Sequence, residues 1–398
     1  MTVSYWLANQ PPLSTPLFAD TRCDVAVIGA GLCGASAALA LSKAGVDVLL
    51  LEADQIAGRA TGRNAGFILQ GTAERYNRAV TMMGAERARA IHAWTLVNHD
   101  RIAETVASED IDCAYRRAGS LQLAGTDREE HELRESAEML VRDGFEATLL
   151  DSAALGPIYT SAGFNMGVLL PRDGELDPAR FVRGVVQAAA RHGARVAERT
   201  AVTAMDASSP GDVRLETEHG ATVRCELVLV CTNARIGALL PWYADKIDPV
   251  RGQMLATAPA PRIFEWPIYA DHGYDYWRQD EHGRVVLGGW RNLDPSSEVG
   301  LADQLHMGIQ EKMARFLERF EPLRGVAVTH RWSGIMGFSR DGLPLLGPAP
   351  GAGGALAAAG FTGHGFGFAF LAGEALATVA LEGQHPFAEL LSVRRLRG

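Results

Sequence analysis

Residues 23–53 read CDVAVIGAGLCGASAALALSKAGVDVLLLEA. The stretch opens with an apolar, β-branched run, Val25 to Ile28, of the kind buried on both faces of a parallel sheet. Glycines follow at Gly29, Gly31 and Gly34, and then an alanine-rich segment of helical composition that stops at Gly45. A second apolar run, Val48 to Leu51, ends at Glu52. Strand, glycine turn, helix and strand within about 30 residues make a βαβ unit. In that setting Gly29-x-Gly31-x-x-Gly34 is a dinucleotide fingerprint. Gly29 allows the tight turn, Gly31 lets a pyrophosphate approach the backbone, and Gly34 lets helix and strand pack closely. The helix N-terminus at Leu32 offers free N–H groups to phosphate. Glu52, followed by Ala53, is placed to accept hydrogen bonds from ribose hydroxyls.

Further along, Gly84–Ala107 has helical period, GSLQLAG reads as a strand, and DREEHELRESAEMLVRDG as a solvated amphipathic helix. Asp177 to about His192 is a capped helix, and a strand, ARVAERTAV, a hairpin and a buried strand, Glu226–Cys231, come after it. From Arg251 to Asn292 short alternating runs predict antiparallel sheet. Ala302–Phe320 has an amphipathic helical pattern. Beyond His330, glycine loops alternate with one strand, ALAAAGF, and one helix, Phe366 to about Leu381. The α/β features lie at the start, middle and end, with antiparallel features between them. The fold class expected is therefore α/β plus β, with a Rossmann-like domain built from discontinuous segments and an interleaved antiparallel-sheet domain.

The chain has 398 residues, 47% hydrophobic and 21% charged, enough for a large core. A formal charge of −9 disfavours nucleic acid as a partner. Lysine occurs only at Lys43, Lys246 and Lys312. The five cysteines, Cys23, Cys33, Cys113, Cys225 and Cys231, form neither a zinc-type pattern nor a disulfide framework. The N-terminus lacks the basic and apolar regions of a signal peptide, and the apolar stretch Val25–Leu51 is a poor membrane span. These readings lead to expectations of no metal, no membrane span and a cytoplasmic location.

After Glu52 comes ADQIAGRATGRNAGFILQG, a polar loop suited to line the middle of a long cofactor. The fingerprint, this loop, RWSGIMGFSRDGLPLLGPAP (331–350) and GFTGHGFG (360–367) together resemble the FAD-dependent amine and amino-acid oxidase family. Its members include D-amino-acid, glycine and sarcosine oxidases, and the resemblance is nearest to the γ-glutamylputrescine oxidase branch. It runs from Ser4 to Ala388. It implies an FAD-binding domain over 20–80, 175–238 and 328–398 and a substrate-binding domain over 81–174 and 239–327. It also implies that Gly29, Gly31, Leu32, Gly34, Glu52 and Ala53 hold the ADP half. Thr61, Gly62, Arg63, Asn64 and Gly66 would run along the phosphates and flavin. Val202 would meet adenine, and Thr232 and Asn233 would close over the cofactor. Gly334, Gly363, Gly365, Phe366 and Gly367 would approach the ring.

The reaction implied is oxidation of a C–N bond in an amine or amino-acid-like substrate. Hydride passes to flavin N5, the imine hydrolyses, and O2 is reduced to H2O2. The alternative is a dehydrogenase serving a quinone or another carrier. The family's carboxylate-gripping arginine falls here on Met336, so a different clamp is needed, with Arg278, Arg291 and Arg340 as candidates. The strand GRVVLGGW lacks the lysine that sarcosine-oxidase relatives use near N5. The RWSG segment lacks their flavin-tethering cysteine, so the FAD is expected to be non-covalent. Tyr274, Tyr276, Trp290, Trp332 and Met336 are the expected substrate wall. Alternation sends Tyr276 and Trp277 to opposite faces. His364, alone among glycines, is the candidate catalytic side chain.

Overall fold

A computed structural model describes residues 2–8 and 10–396. Residues 397–398, the end of the last segment expected to bind FAD, lie outside the described residues. Four sheets occur among the described residues. The six-stranded sheet runs Leu345–Pro348, Ala355–Ala359, Leu227–Val230, Val25–Ile28, Val48–Leu51, Arg195–Ala197, parallel except for its first strand. Its central strands are apolar on both faces because both are covered. Val25, Val27 and Leu229 face a layer of three helices, Leu32–Lys43, Pro178–Arg191 and Gly365–Glu382. Ala26, Ile28, Val228 and Val230 face a second layer, the four-stranded sheet that includes Val202–Asp206, Val213–Thr217 and Thr222–Cys225. Gly365–Glu382 is apolar enough by composition to cross a membrane. In this fold it is a core helix, with Phe366, Phe368, Phe370 and Leu371 buried.

The other large sheet has eight strands. Its order is Val328–Ser339, Ile247–Pro259, Arg284–Gly289, Asp275–Gln279, Ile268–Ala270, Ser120–Ala124, Met166–Leu170, Thr148–Leu150. One face buries Trp277 and Leu287 against Phe316 of the helix Met307–Leu317. The opposite face carries Tyr276 and Met254 toward the segment 65–69.

Two expectations are corrected here. The helix expected over 302–320 is confined to Met307–Leu317, because His306 caps it: His306 Nδ1 accepts the Ile309 N–H at 3.1 Å. The start of the segment beyond His330, read as glycine loops, belongs to a twelve-residue strand, Val328–Ser339. Its register against Ile247–Pro259 puts Gly334 opposite Gly252 and Met336 opposite Val250. Glycine in a strand marks a close approach rather than a break. A Cβ on Gly337 would sit 2.6 Å from Asn233 Oδ1, and one on Gly334 3.1 Å from Arg63 Cβ.

The connection 290–306 is pinned by two ion pairs, one fully buried and one partly so. Glu298, fully buried, accepts from Arg251 Nε and Gln253 Nε2, each at 3.0 Å. Asp303 pairs with Arg63 at 3.0 Å and accepts from Ser333 Oγ at 2.7 Å. A pair buried as deeply as Arg251 and Glu298 persists only when geometry satisfies it, so it sets the path of the loop.

Candidate active site

A cavity of about 680 Å³ opens at the C-terminal ends of the parallel strands and runs to the face of the antiparallel sheet. Open α/β sheets place ligands at those strand ends because helix N-termini and strand-end loops converge there. At one end of the cavity, Gly29 has φ 101°, and a Cβ there would press on the Cys231 carbonyl at 2.9 Å. A Cβ on Gly31 would meet only Thr61 Oγ1, at 3.2 Å, so the glycine leaves room on the cavity side. Glu52 is buried. Its Oε2 accepts the Ala30 N–H at 2.8 Å and Oε1 the Asp54 N–H at 2.9 Å. Burial pushes its carboxyl up, and the two backbone donors act against that rise. Thr232 Oγ1 is buried on the wall without a hydrogen-bond partner, a polar atom that a bound ligand can satisfy. Leu32, Ala53, Val202 and Asn233 complete this end. The glycine cradle, the buried carboxylate and the orphaned hydroxyl suit a dinucleotide cofactor.

Several expected residues lie off the cavity wall. Gly34 faces inward to the fold, where a Cβ would come within 1.9 Å of the Gly29 carbonyl. In the 59–66 loop, Thr61 and Asn64 line the cavity while Gly62, Arg63 and Gly66 do not. Arg63 is drawn away by Asp303 and by the carbonyls of Gly58, Thr2 and Ser333. Gly66 lies under Leu176 and Arg278. Gly334 is blocked from the wall by Arg63. Trp332 is fully buried, its indole N–H donating to the Arg63 carbonyl at 2.9 Å. Trp290 packs against Phe316 in the core behind the sheet. Neither tryptophan reaches the substrate space, because strand alternation and the turn at Gly289–Trp290 send both into packed cores.

At the other end of the cavity, the wall is Tyr274, Tyr276 and Met336, joined by Tyr269, Phe338 and Arg291. Tyr269 and Phe338 escaped sequence reasoning. Phe338 shares the strand face of Met336 by period 2, a signal hidden while the segment was read as loop. Burial raises the Tyr276 phenol to about 12 and the Tyr269 phenol further. The strand Ala355–Ala359 leads into Gly360, Phe361, Thr362 and Gly363, and then the helix Gly365–Glu382. Gly363, His364, Gly365, Phe366 and Gly367 all line the cavity, with the free N–H groups of the helix at this wall. Gly365 faces open space. Gly367 is required elsewhere, since its Cβ would lie 2.7 Å from the Leu69 carbonyl.

The His364 ring lies parallel to that of Tyr269, with centroids 6.3 Å apart. Burial lowers its pKa to about 4, so the imidazole is neutral through the physiological range. A neutral ring of that basicity contacts a ligand but does not retain a proton from it. His364→Ala should therefore keep bound FAD and slow turnover by about 2- to 10-fold, the scale of one aromatic contact. The ratio of wild-type to variant rates should stay flat above about pH 5.5. A ratio that changes across neutral pH would contradict a permanently neutral His364.

The three candidate clamps separate clearly. Arg278 is buried, donates to the Ala65 and Leu176 carbonyls, each at 2.7 Å, and pairs with Glu175 at 3.3 Å. Arg340 is exposed and pairs with Asp245. Arg291 faces the cavity with its guanidinium between two rings, 4.6 Å from the Tyr274 centroid and 4.9 Å from that of Phe338. It forms no ion pair among the described residues.

The family model described as FAD dependent oxidoreductase matches residues 24–379. The chain is 29% identical over 392 residues to gamma-glutamylputrescine oxidoreductase of Escherichia coli (strain K12), covering 94% of this chain and 88% of that protein. It is 27% identical to the probable oxidoreductase OrdL of Rhizobium meliloti (strain 1021), covering 90% and 83%. Among solved structures, glycine oxidase from Geobacillus kaustophilus superposes with a TM-score of 0.80 at 21% identity, covering 95% of this chain and all of that one. L-proline dehydrogenase from P. horikoshii gives 0.78 at 21% identity, covering 94% and 97%. These two likenesses show the fold: a Rossmann-like parallel sheet joined to an antiparallel-sheet domain.

Proposed function

The chain belongs to the FAD dependent oxidoreductase family, and within it we propose an oxidase of amines that also carry a carboxylate. The reaction converts the C–N bond to an imine, which water hydrolyses, with O2 as the electron acceptor. The carrying observation is Arg291, a cavity-facing guanidinium held between two aromatic faces without an anionic partner. Such a fork matches a carboxylate with two parallel hydrogen bonds. The likeness to gamma-glutamylputrescine oxidoreductase supports this reading, since gamma-glutamylputrescine carries both an amine and an α-carboxylate.

FAD, when bound, supplies the hydride acceptor and returns the electrons to O2. Gly29, Gly31, Leu32, Glu52, Val202 and Thr232 would hold its ADP half, and Thr61 and Asn64 its middle. The helix N-terminus at Gly365 presents N–H groups and a positive dipole end to the ring end of the cavity, where they would stabilise negative charge. Tyr269, Tyr276, Met336 and Phe338 keep water from the reacting carbon while Arg291 orients the substrate. Non-covalent FAD is supported by the cysteines: Cys33 and Cys231 are buried together, sulfur to sulfur 3.7 Å, beside the glycine turn rather than at the ring end. A second reading, transfer to a carrier instead of O2, is favoured by one observation. Among the described residues, none of the three lysines lines the cavity, so no lysine ammonium is placed to activate oxygen.

Anaerobic bleaching of the purified flavoprotein tests the substrate class. γ-Glutamyl amines, N-methyl amino acids or D- or L-amino acids should bleach it, and simple polyamines should not. Bleaching by polyamines alone would remove the carboxylate requirement. Peroxide release in air then separates the oxidase from a dye-reducing dehydrogenase.

A further inference from the structure

Beside the substrate end of the main cavity lies a smaller one of about 70 Å³. Tyr269, His364, His272 and Leu69 line both, so the two spaces adjoin. The small cavity has room for about two waters at ~30 Å³ each, and polar groups stand among the apolar side chains of its wall. Gln70 Nε2 is buried there with no hydrogen-bond partner, while Gln70 Oε1 lies 3.1 Å from His92 Nε2. A buried amide donor without a protein partner beside a void calls for water. On the same wall stands Asp173, 1% exposed. Its Oδ1 accepts the Gln70 N–H at 2.8 Å and its Oδ2 the Ser120 hydroxyl at 2.6 Å. Among the described residues it has no ion pair. This carboxyl has no part in holding FAD, and no ion pair with a cation accounts for its burial.

We propose that Asp173 receives, through water in this cavity, the proton that the bound substrate's ammonium must lose before its C–N bond is oxidised. This inference rests on the reading of the protein as an amine oxidase. The step balances simply. An N–H bond of the ammonium breaks, an O–H bond forms on the Asp173 carboxylate, and intervening waters pass the proton along without net change. The amine nitrogen keeps the freed electron pair, which assists departure of hydride from the adjacent carbon.

The surrounding groups leave few other acceptors. His364 at about 4, and His92 at about 4 on the helix Ala85–Ser108, are too weakly basic, both lowered by burial. His99 on the same helix is lowered to about 3, first by burial and then by Arg117. Tyr269 is raised by burial first, then by Tyr276 and by Asp173 itself, so the carboxylate's field reaches the substrate wall. Arg117, next to the strand Ser120–Ala124, pairs with Asp100 and favours the Asp173 carboxylate. Asp173 itself is raised to about 7, by burial against the opposing hydrogen bonds of Ser120 and Gln70. It can therefore both accept and release a proton near neutrality. His272, which pairs with Glu132 at 3.5 Å, is the one competing base on the shared wall.

The test is the pH dependence of anaerobic flavin reduction by a saturating γ-glutamyl alkylamine, followed from about pH 5 to about pH 10. Wild type should show a rising limb centred at about 7. In Asp173→Asn the limb at about 7 should vanish, and the rate should instead climb steadily with pH toward the pKa of the amine itself, about 10. Ser120→Ala removes a hydrogen bond to the carboxylate, so the limb should move upward by about one to two pH units. His272→Asn should keep it. Infrared titration of the oxidised, substrate-free protein adds a readout independent of turnover. The protonated-carboxyl absorption that disappears with a midpoint at about 7 should be weaker in Asp173→Asn than in wild type, leaving the contribution of Asp275, which burial also raises to about 7. If Asp173→Asn does not fold, the Ser120→Ala shift decides. A limb unmoved in Ser120→Ala, retained in Asp173→Asn, or lost in His272→Asn overturns the inference while leaving the amine-oxidase reading intact. No bleaching of the wild type by any amine would remove that reading and this inference with it.

Discussion

Gly31→Val should give a folded protein that purifies without flavin absorbance, whereas Gly34→Val should lose flavin together with stability. The two glycines belong to one turn but face opposite ways. Gly31 has φ −80°, accessible to any residue, and its cavity side is open apart from Thr61 Oγ1. A valine there costs the fold little and fills the space where a pyrophosphate meets backbone. At Gly34 an added Cβ lies 1.9 Å from the Gly29 carbonyl and 3.3 Å from Val27 Cγ1. The helix Leu32–Lys43 cannot retreat, because Gly373 of the C-terminal helix packs against its other side. A Cβ on Gly373 would lie 2.2 Å from the Cys33 carbonyl. The strain exceeds ordinary overpacking, which costs about 1–3 kcal/mol. Circular dichroism, thermal melting and flavin content after purification separate the two cases. A Gly31→Val protein with full flavin content would contradict the role assigned to this turn.

Arg291→Met should retain FAD and lower kcat/KM for a carboxylate-bearing amine by about 2–5 kcal/mol, or ~30-fold to several thousand-fold. An amine without a carboxylate should be nearly unaffected. The backbone explains why the guanidinium stands where it does. Gly289 has φ 125°, a Cβ there would sit 1.8 Å from the Tyr274 carbonyl, and Trp290 follows with φ 57°. The Trp290 N–H donates to that same carbonyl at 2.8 Å, closing the turn and bringing Arg291 over the Tyr274 ring. Glu298 and Asp303 pin the rest of the loop. The two rings hold the guanidinium plane and leave its N–H edges to a ligand. Arg291→Lys should recover only part of the loss, because a point charge neither stacks nor forks. Equal kcat/KM for wild type and Arg291→Met on every carboxylate-bearing amine would sink the proposal.

Much of this protein was legible in residues 23–53 alone. The turn, the helix and the two strands there depend on contacts within about 30 residues, and glycine spacing with apolar run length encodes them directly. The loop carrying Thr61 and Asn64 and the glycine segment around His364 were legible by resemblance, since each keeps its motif in unbroken sequence. The helix cap at Asp177 was equally local: its side chain accepts the N–H groups of Ala179 and Arg180.

The substrate end was not local, and sequence reading went astray there. Val328–Ser339 is a strand because it pairs with Ile247–Pro259, some 80 residues away, and its glycines are the places where Arg63 and Asn233 press against it. Trp290 and Trp332 look like pocket aromatics by composition, but the pairing register turns them into packed cores. Arg278, Arg291 and Arg340 are chemically identical on paper. Glu175 and two carbonyls occupy the first, Asp245 the third, and only the second is left facing the cavity. The sequence by itself determined dinucleotide binding and the nucleotide fold, because short-range backbone geometry specifies them, and the flavin was legible through the resemblance. Which arginine is free to bind a ligand was decided by tertiary structure alone, because that depends on partners brought together from distant parts of the chain.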